Sequence, residues 1–210
     1  MIIVFYIIVL IFSVIIHEIS HGYVALALGD STAKDAGRLT LNPIKHLDLF
    51  GSILLPLLLF FAHAPIFGWA KPVPYDPRFL KNPKRAAGLI GGAGPASNFL
   101  LALVFALIVR LMVTLPGSDL TAGFFLLCNA IIQINIALAF FNLIPIPPLD
   151  GSKVLFALLP RRFAAFEQLL NQYGFFLLVI LLIFGVGFLG PLISNTYLFL
   201  VGSEVAAALL

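Results

Sequence analysis

Ile15-Ile16-His17-Glu18-Ile19-Ser20-His21-Gly22 lies near the start of the chain, inside an apolar run, and its reading decides the fold. Residues 1–16 carry no charged side chain, and 22–28 are mostly apolar again. Ionisable groups at bilayer depth are costly and mark function by default. Here three of them fall within five residues, with imidazoles at i and i+4. On a helix that spacing puts both rings on one face, one turn apart. Two imidazoles so placed can take two corners of a tetrahedral zinc site, with Glu18 beside the water that such a site holds.

The composition around this motif belongs to an integral membrane protein. Of 210 residues, 61% are hydrophobic and 10% charged, against about 25% charged in a soluble domain. The mean hydropathy is +1.12. There is no room for a sizeable soluble domain, no internal repeat and no low-complexity tail. The net charge of +3 points to no nucleic-acid partner, since topology accounts for the basic residues. Cys128 lies in an apolar run, has no second cysteine to pair with, and reads as a small buried hydrophobe. Ala25-Leu26-Ala27 resembles a signal cleavage site, but no Lys or Arg precedes the apolar run and the polar cluster interrupts it, so cleavage is not expected.

A membrane span needs roughly 20 mostly apolar residues. Spans are expected over residues 2–28, 87–114 and 121–145. Residues 169–210 are apolar over twice that length, and Gly185, Gly187, Gly190 and Pro191 predict a break into two further spans. The apolar segment 49–67 is shorter and carries Pro56 and Pro65. All Lys and Arg other than Arg110 fall in three stretches: Lys34, Arg38 and Lys45; Lys71, Arg78, Lys81, Lys84 and Arg85; and Lys153, Arg161 and Arg162. The positive-inside rule places all three stretches in the cytoplasm, with the N-terminus outside. Segment 49–67 then enters and leaves on one side, as a re-entrant element, which is tolerated only where protein or a water-filled cavity surrounds it. The expected fold is a polytopic all-α integral membrane bundle of about five transmembrane helices plus this re-entrant segment. Residues 1–160 would form the core and 161–210 a C-terminal helical unit.

A catalytic zinc usually takes three protein ligands and keeps an open position. Candidates beyond His17 and His21 are His46, His63, Asp30, Asp35, Asp48, Asp76, Asp119, Asp150, Glu167 and Glu204. Asp150 stands out, because it ends Asn142-Leu-Ile-Pro145-Ile-Pro147-Pro148-Leu-Asp150-Gly151 at the cytoplasmic end of the third span. Its prolines stop the helix and can direct the carboxylate inward, to the depth of the histidines. Read apart from the histidines, Asp150 would be a helix N-cap. Asn142, or either histidine alone, could equally be a polar group satisfied between helices. The histidine pair with Glu18 between favours the metal site.

These motifs resemble those of the site-2 proteases, membrane-embedded zinc metalloproteases. The likeness rests on His17-Glu18-Ile19-Ser20-His21, on Asn142-Leu-Ile-Pro with Leu149-Asp150-Gly151, and on Gly94-Pro95-Ala96-Ser97-Asn98, which is similar to the family's Gly-Pro-x-x-Asn element. It covers about residues 5–160, and with no PDZ-like insert the chain looks like a minimal form. The resemblance implies one zinc per chain held by His17, His21 and Asp150, with Glu18 as catalytic acid/base. Asn142 would position the substrate peptide or stabilise its oxyanion. Asn98 is a further candidate on the substrate side, or packing glue in the bundle.

The implied activity is hydrolysis of peptide bonds within or near transmembrane segments of membrane-protein substrates. An intact helix hides its carbonyls, so the substrate must unwind and can be held by strand addition. Residues 37–42 alternate apolar and polar, so Leu39, Thr40 and Leu41 are the candidate edge of a small membrane-associated β element. Residues 67–74 are a second extended candidate, restricted to an edge by their prolines and equally readable as a surface loop anchored by Trp69. A metal transporter using the same ligands would spread polar groups along a pathway, whereas here they sit at one depth. A non-catalytic scaffold needs no His17-Glu18 pair.

Overall fold

A computed structural model describes residues 2–63, 68–114 and 122–202. The elements are helices α1 (Ile2–Ala27), α2 (Thr32–Asp35), α3 (Leu55–Phe61, continuing a π-helical stretch Leu49–Leu54), α4 (Pro83–Thr114), α5 (Ala122–Leu143), α6 (Asp150–Leu158), α7 (Ala164–Phe184) and α8 (Leu189–Val201), with short 3-10 turns between some of them. Four are long and apolar enough to cross a membrane: α1, α4, α5 and α7 with its preceding turn. Leu49–Phe61 and Leu189–Val201 are shorter apolar helices. The expected break in 169–210 falls at Gly185, but the second piece has 13 residues rather than a full span.

The core is α1, α4 and α5. Their sequences explain the packing. On α1 the buried residues Val9, Ser13, His17, His21 and Ala25 recur every four positions and form one ridge. On α4, Ala86, Ile90, Gly94, Asn98, Ala102 and Ala106 do the same. Small residues let membrane helices approach closely, and this ridge is mostly small. Away from it, Ile3, Val4, Ile7, Ile8, Leu100 and Leu107 are exposed, as a lipid-facing surface requires.

Two apolar clusters flank the middle of the core. One joins Ala102, Ala106, Val109, Cys128, Ile132, Ile136 and Val201, so α8 seals the far end against α4 and α5. The other joins Ala25, Leu80, Ala86 and Ile90 at the end rich in basic residues. Just past α1, buried Asp30 accepts hydrogen bonds from Thr32 N and Asp76 N, tying α2 to the segment before α4. Burial pushes its carboxyl up, but these bonds and one from the Thr32 hydroxyl outweigh it, leaving the group below the usual carboxylate range.

No strand forms among the described residues. The expected β element at 37–42 is a turn and bend leading into the 3-10 turn Pro43–His46, where Asn42 Oδ1 accepts from Ile44 N. Residues 64–67, 115–121 and 203–210 lie outside the described part, and with them Pro65, Phe67, Asp119 and Glu204.

Candidate metal centre

His17 and His21 project from one face of α1, with ring centroids 4.7 Å apart. Both rings are buried in the seam facing α4. Each presents its Nε2 to the same atom, Asp150 Oδ2, at 3.0 Å. Among the described residues, His17, His21 and Asp150 form a group whose ligand atoms all lie within 4.8 Å of one another.

Three local features bring Asp150 there. Helix α5 stops at Leu143, as Pro145, Pro147 and Pro148 demand. Helix α6 then begins at Asp150, with Leu149 in the cap position and no side-chain cap. The carboxylate therefore does not cap its own helix and is free to face α1. Gly151 permits the tight return, because a Cβ there would stand 2.2 Å from Leu143 O. Lys153, one turn on, donates to Asp150 Oδ1 at 2.9 Å, leaving Oδ2 to the histidines.

The hydrogen bonds behind the rings settle their tautomers. His17 Nδ1–H donates to Asn98 Oδ1 and His21 Nδ1–H to Ile90 O, both at 2.6 Å. This leaves Nε2 of each ring on the side of the carboxylate, where the two nitrogens and Asp150 Oδ2 converge as three donor atoms for one cation. Metal-ligating histidines characteristically carry such a partner on the other nitrogen, and this nitrogen–oxygen set suits zinc.

The partner of His17 is itself held. Asn98 Nδ2 donates to Asn135 Oδ1 at 2.7 Å, and Asn135 Nδ2 to Ser13 Oγ at 2.9 Å. Asn98 and Asn135 are fully buried. Asn98, expected on the substrate side or as packing glue in the bundle, stands behind His17 and accepts from its Nδ1. Ser13 and Asn135 escaped sequence reasoning; an Asn within an apolar span is the one signal they offered.

Gly94 was visible only as part of a motif. A Cβ there would lie 2.5 Å from His17 Cε1 and Nε2 and 2.6 Å from His21 Cε1, so only glycine leaves the pair its space. Pro95 follows without ending α4.

Glu18 is half-buried, and its Oε2 accepts from Val73 N at 3.0 Å. Asn142 is half-buried on the last turn of α5, its amide donating to Leu138 O. The other candidate ligands lie elsewhere: His46 Nε2 donates to Thr40 O, His63 is exposed, and Glu167 pairs with Lys84.

Comparison with known proteins places this geometry in a lineage. Residues 111–181 match the model of Peptidase family M50. The chain is 41% identical over 185 residues to the Bacillus subtilis protein named "Putative zinc metalloprotease YwhC", covering 86% of this chain and 81% of that one. It is 31% identical to the Mycobacterium tuberculosis protein named "Putative zinc metalloprotease Rip2", over 88% of this chain and 66% of that one. It is 28% identical to "Zinc metalloprotease MJ0392" of Methanocaldococcus jannaschii, over 85% of this chain but 42% of the relative. No solved structure matches. The chain belongs to peptidase family M50, the family of the site-2 proteases that its motifs resemble.

Proposed function

We propose that this chain is a zinc-dependent intramembrane endopeptidase, cutting membrane-protein substrates within or near their transmembrane segments. The observation that carries this reading is the burial of His17, His21 and Asp150 together inside a bundle of span-length helices. The site's depth supports it. Ile90 and Gly94, which touch the histidines, lie six residues beyond Lys84 and nine beyond Arg85 on α4. At 1.5 Å per residue the site is about 9–14 Å below that basic level. A peptide reaching it must leave the aqueous surface.

His17, His21 and Asp150 would hold one zinc per chain, with Asn98, Ile90 O and Lys153 fixing their orientation. Zinc, when bound, supplies Lewis acidity that lowers the pKa of a water toward neutrality and polarises the scissile carbonyl. Glu18 takes a proton from the attacking water and returns it to the leaving nitrogen. The products are one new carboxylate and one new amine. Asn142, at the end of α5, would position the substrate peptide or steady the developing oxyanion. The backbone of Leu39, Thr40 and Leu41 offers an edge to the unwound substrate.

Residues 1–160 form the catalytic core in this reading, and 161–210 are helices added to it. The orientation follows the basic residues: N-terminus outside, active site toward the cytoplasm of the cell membrane.

The test is Glu18→Gln, which keeps size and reach but removes the basic carboxylate. Zinc content should be unchanged, while cleavage of a reconstituted transmembrane substrate falls by about 10²–10⁴-fold. Scoring zinc uptake in the same vesicles separates this from the second reading, a metal transporter, which predicts zinc flux and no fragments from either form. Undiminished cleavage by Glu18→Gln, with contaminating proteases excluded, removes Glu18 from the reaction.

A further inference from the structure

Between the re-entrant segment and α4, the residues Trp69-Ala70-Lys71-Pro72-Val73-Pro74 cross over the site as a strap. Alternate N–H groups of this strap point into the protein. Trp69 N donates to Gly51 O, Lys71 N to His46 O, and Val73 N to Glu18 Oε2, at 3.1, 2.8 and 3.0 Å. Such a period of two belongs to extended chain. Pro72 and Pro74 have no N–H, so residues 72–74 carry one backbone donor, that of Val73, and it is spent on Glu18.

The strap is held from behind. Arg38 Nη2 donates to Lys71 O at 2.6 Å and to Pro72 O at 3.3 Å. Arg38 is only 7% exposed. A buried guanidinium is costly unless its donors are used; here Nη2 grips the two carbonyls immediately before Val73, while the buried Nε has no partner among the described residues. The Val73 side chain is buried and set against α1 beside Gly22, where a Cβ would stand 2.9 Å from Val73 Cγ1. The strap therefore has one height above the helix that carries His17, Glu18 and His21.

We propose that the Val73 N–H is the positioning donor of the catalytic carboxylate, and that Arg38 is a positioning residue acting through it. This inference rests on the reading of Glu18 as acid/base. A half-buried glutamate side chain still has several rotamers, while proton transfer demands one oxygen within about 2.6–3.2 Å of the reacting group. The bond to Oε2 uses one oxygen to fix the side chain and leaves Oε1 for the proton. A charge-assisted bond from a backbone amide suits this role, because the amide cannot swing away.

The decisive comparison is Val73→Pro against Val73→Ala, in the full-length protein reconstituted with a transmembrane substrate. Both lose the valine side chain, and only the first loses the N–H. An amide-to-ester exchange at the Pro72–Val73 bond, which removes that N–H and keeps the side chain, serves as the second variant should proline disturb folding. We expect Val73→Pro and the ester to have kcat lower than Val73→Ala by about tenfold or more, with KM and zinc content unchanged. Arg38→Met should lower kcat less, and the Arg38→Met/Val73→Pro double variant should be no slower than Val73→Pro alone, as expected for residues acting in series. Equal kcat for Val73→Pro, the ester and Val73→Ala would overturn the proposal, and so would a rise in kcat, which would make the strap a lid. Failure of the Glu18 reading looks different: Glu18→Gln would then stay active whatever Val73 does.

Discussion

Gly94→Ala is the sharpest perturbation of the metal centre. The added methyl would sit 2.5 Å from His17 and 2.6 Å from His21, where ordinary carbon contacts are about 3.5–4.0 Å. The rings must therefore retreat by roughly 1 Å, or α1 and α4 must part by that much. Metal–ligand distances tolerate only about 0.2 Å, so the retreat falls directly on the site. Forcing an extra methylene into a packed interior costs about 1–3 kcal/mol, and 1.4 kcal/mol is a factor of about ten. Zinc affinity should thus drop about 5- to 150-fold. A competitive titration against a chromophoric chelator in detergent reads this directly, with thermal unfolding of the metal-free protein measured alongside. Gly92→Ala is the matched control, because its Cβ would meet Val154 Cγ2 at an ordinary 3.8 Å. If Gly94→Ala binds zinc as tightly as Gly92→Ala, the glycine does not shape the site.

Further outcomes are expected. Asn98→Ala removes the acceptor of His17 Nδ1 and should weaken zinc binding about 10–100-fold; unchanged affinity in the same titration would dismiss the orienting role. In a Cys128→Ser background, cysteines at Ser31, Asn82 and Pro160 should resist an impermeant external reagent while one at Ser118 reacts; labelling at Asn82 and Pro160 with Ser118 protected would mean that 49–67 crosses the bilayer. Asp30 titrates below its ordinary value, so its contribution to stability is present above the unfolded carboxylate value, about pH 4, and fades as pH falls below it. The thermal stability gap between wild type and Asp30→Asn should accordingly shrink on acidification, and a constant gap would contradict the assignment.

What the sequence disclosed tracks the range of the interactions. The histidine pair was legible because its geometry is local: i and i+4 on a helix fix a shared face. Asp150 was legible because three prolines announce where α5 must stop. The partners that orient the ligands were not. Asn98, Asn135 and Ser13 join three helices through side chains 37 to 122 positions apart, and no period in the sequence encodes that pairing. Gly94 could be read as a motif member, but not as the space two rings occupy. Val73 acts through its backbone, which leaves no mark in a residue code. The 37–42 segment alternates as a strand should, yet it folds as a turn and bend, and no ladder joins it to the extended residues 69–74. The C-terminal break was signalled by its glycines, while the end of α8 at Val201 is followed by Gly202 at positive φ.

The ligands are also separated in time. His17 and Asp150 are 133 residues apart in the chain, and the residues between them include both asparagines of the buried chain. At about 5–20 residues per second of synthesis, roughly 7–27 s pass between the first ligand and the last. During that interval α1 carries two imidazoles and a carboxylate without the helices that will enclose them. A complete metal centre cannot exist until α6 has been made, so its assembly is deferred to the end of the core by the order of the chain alone.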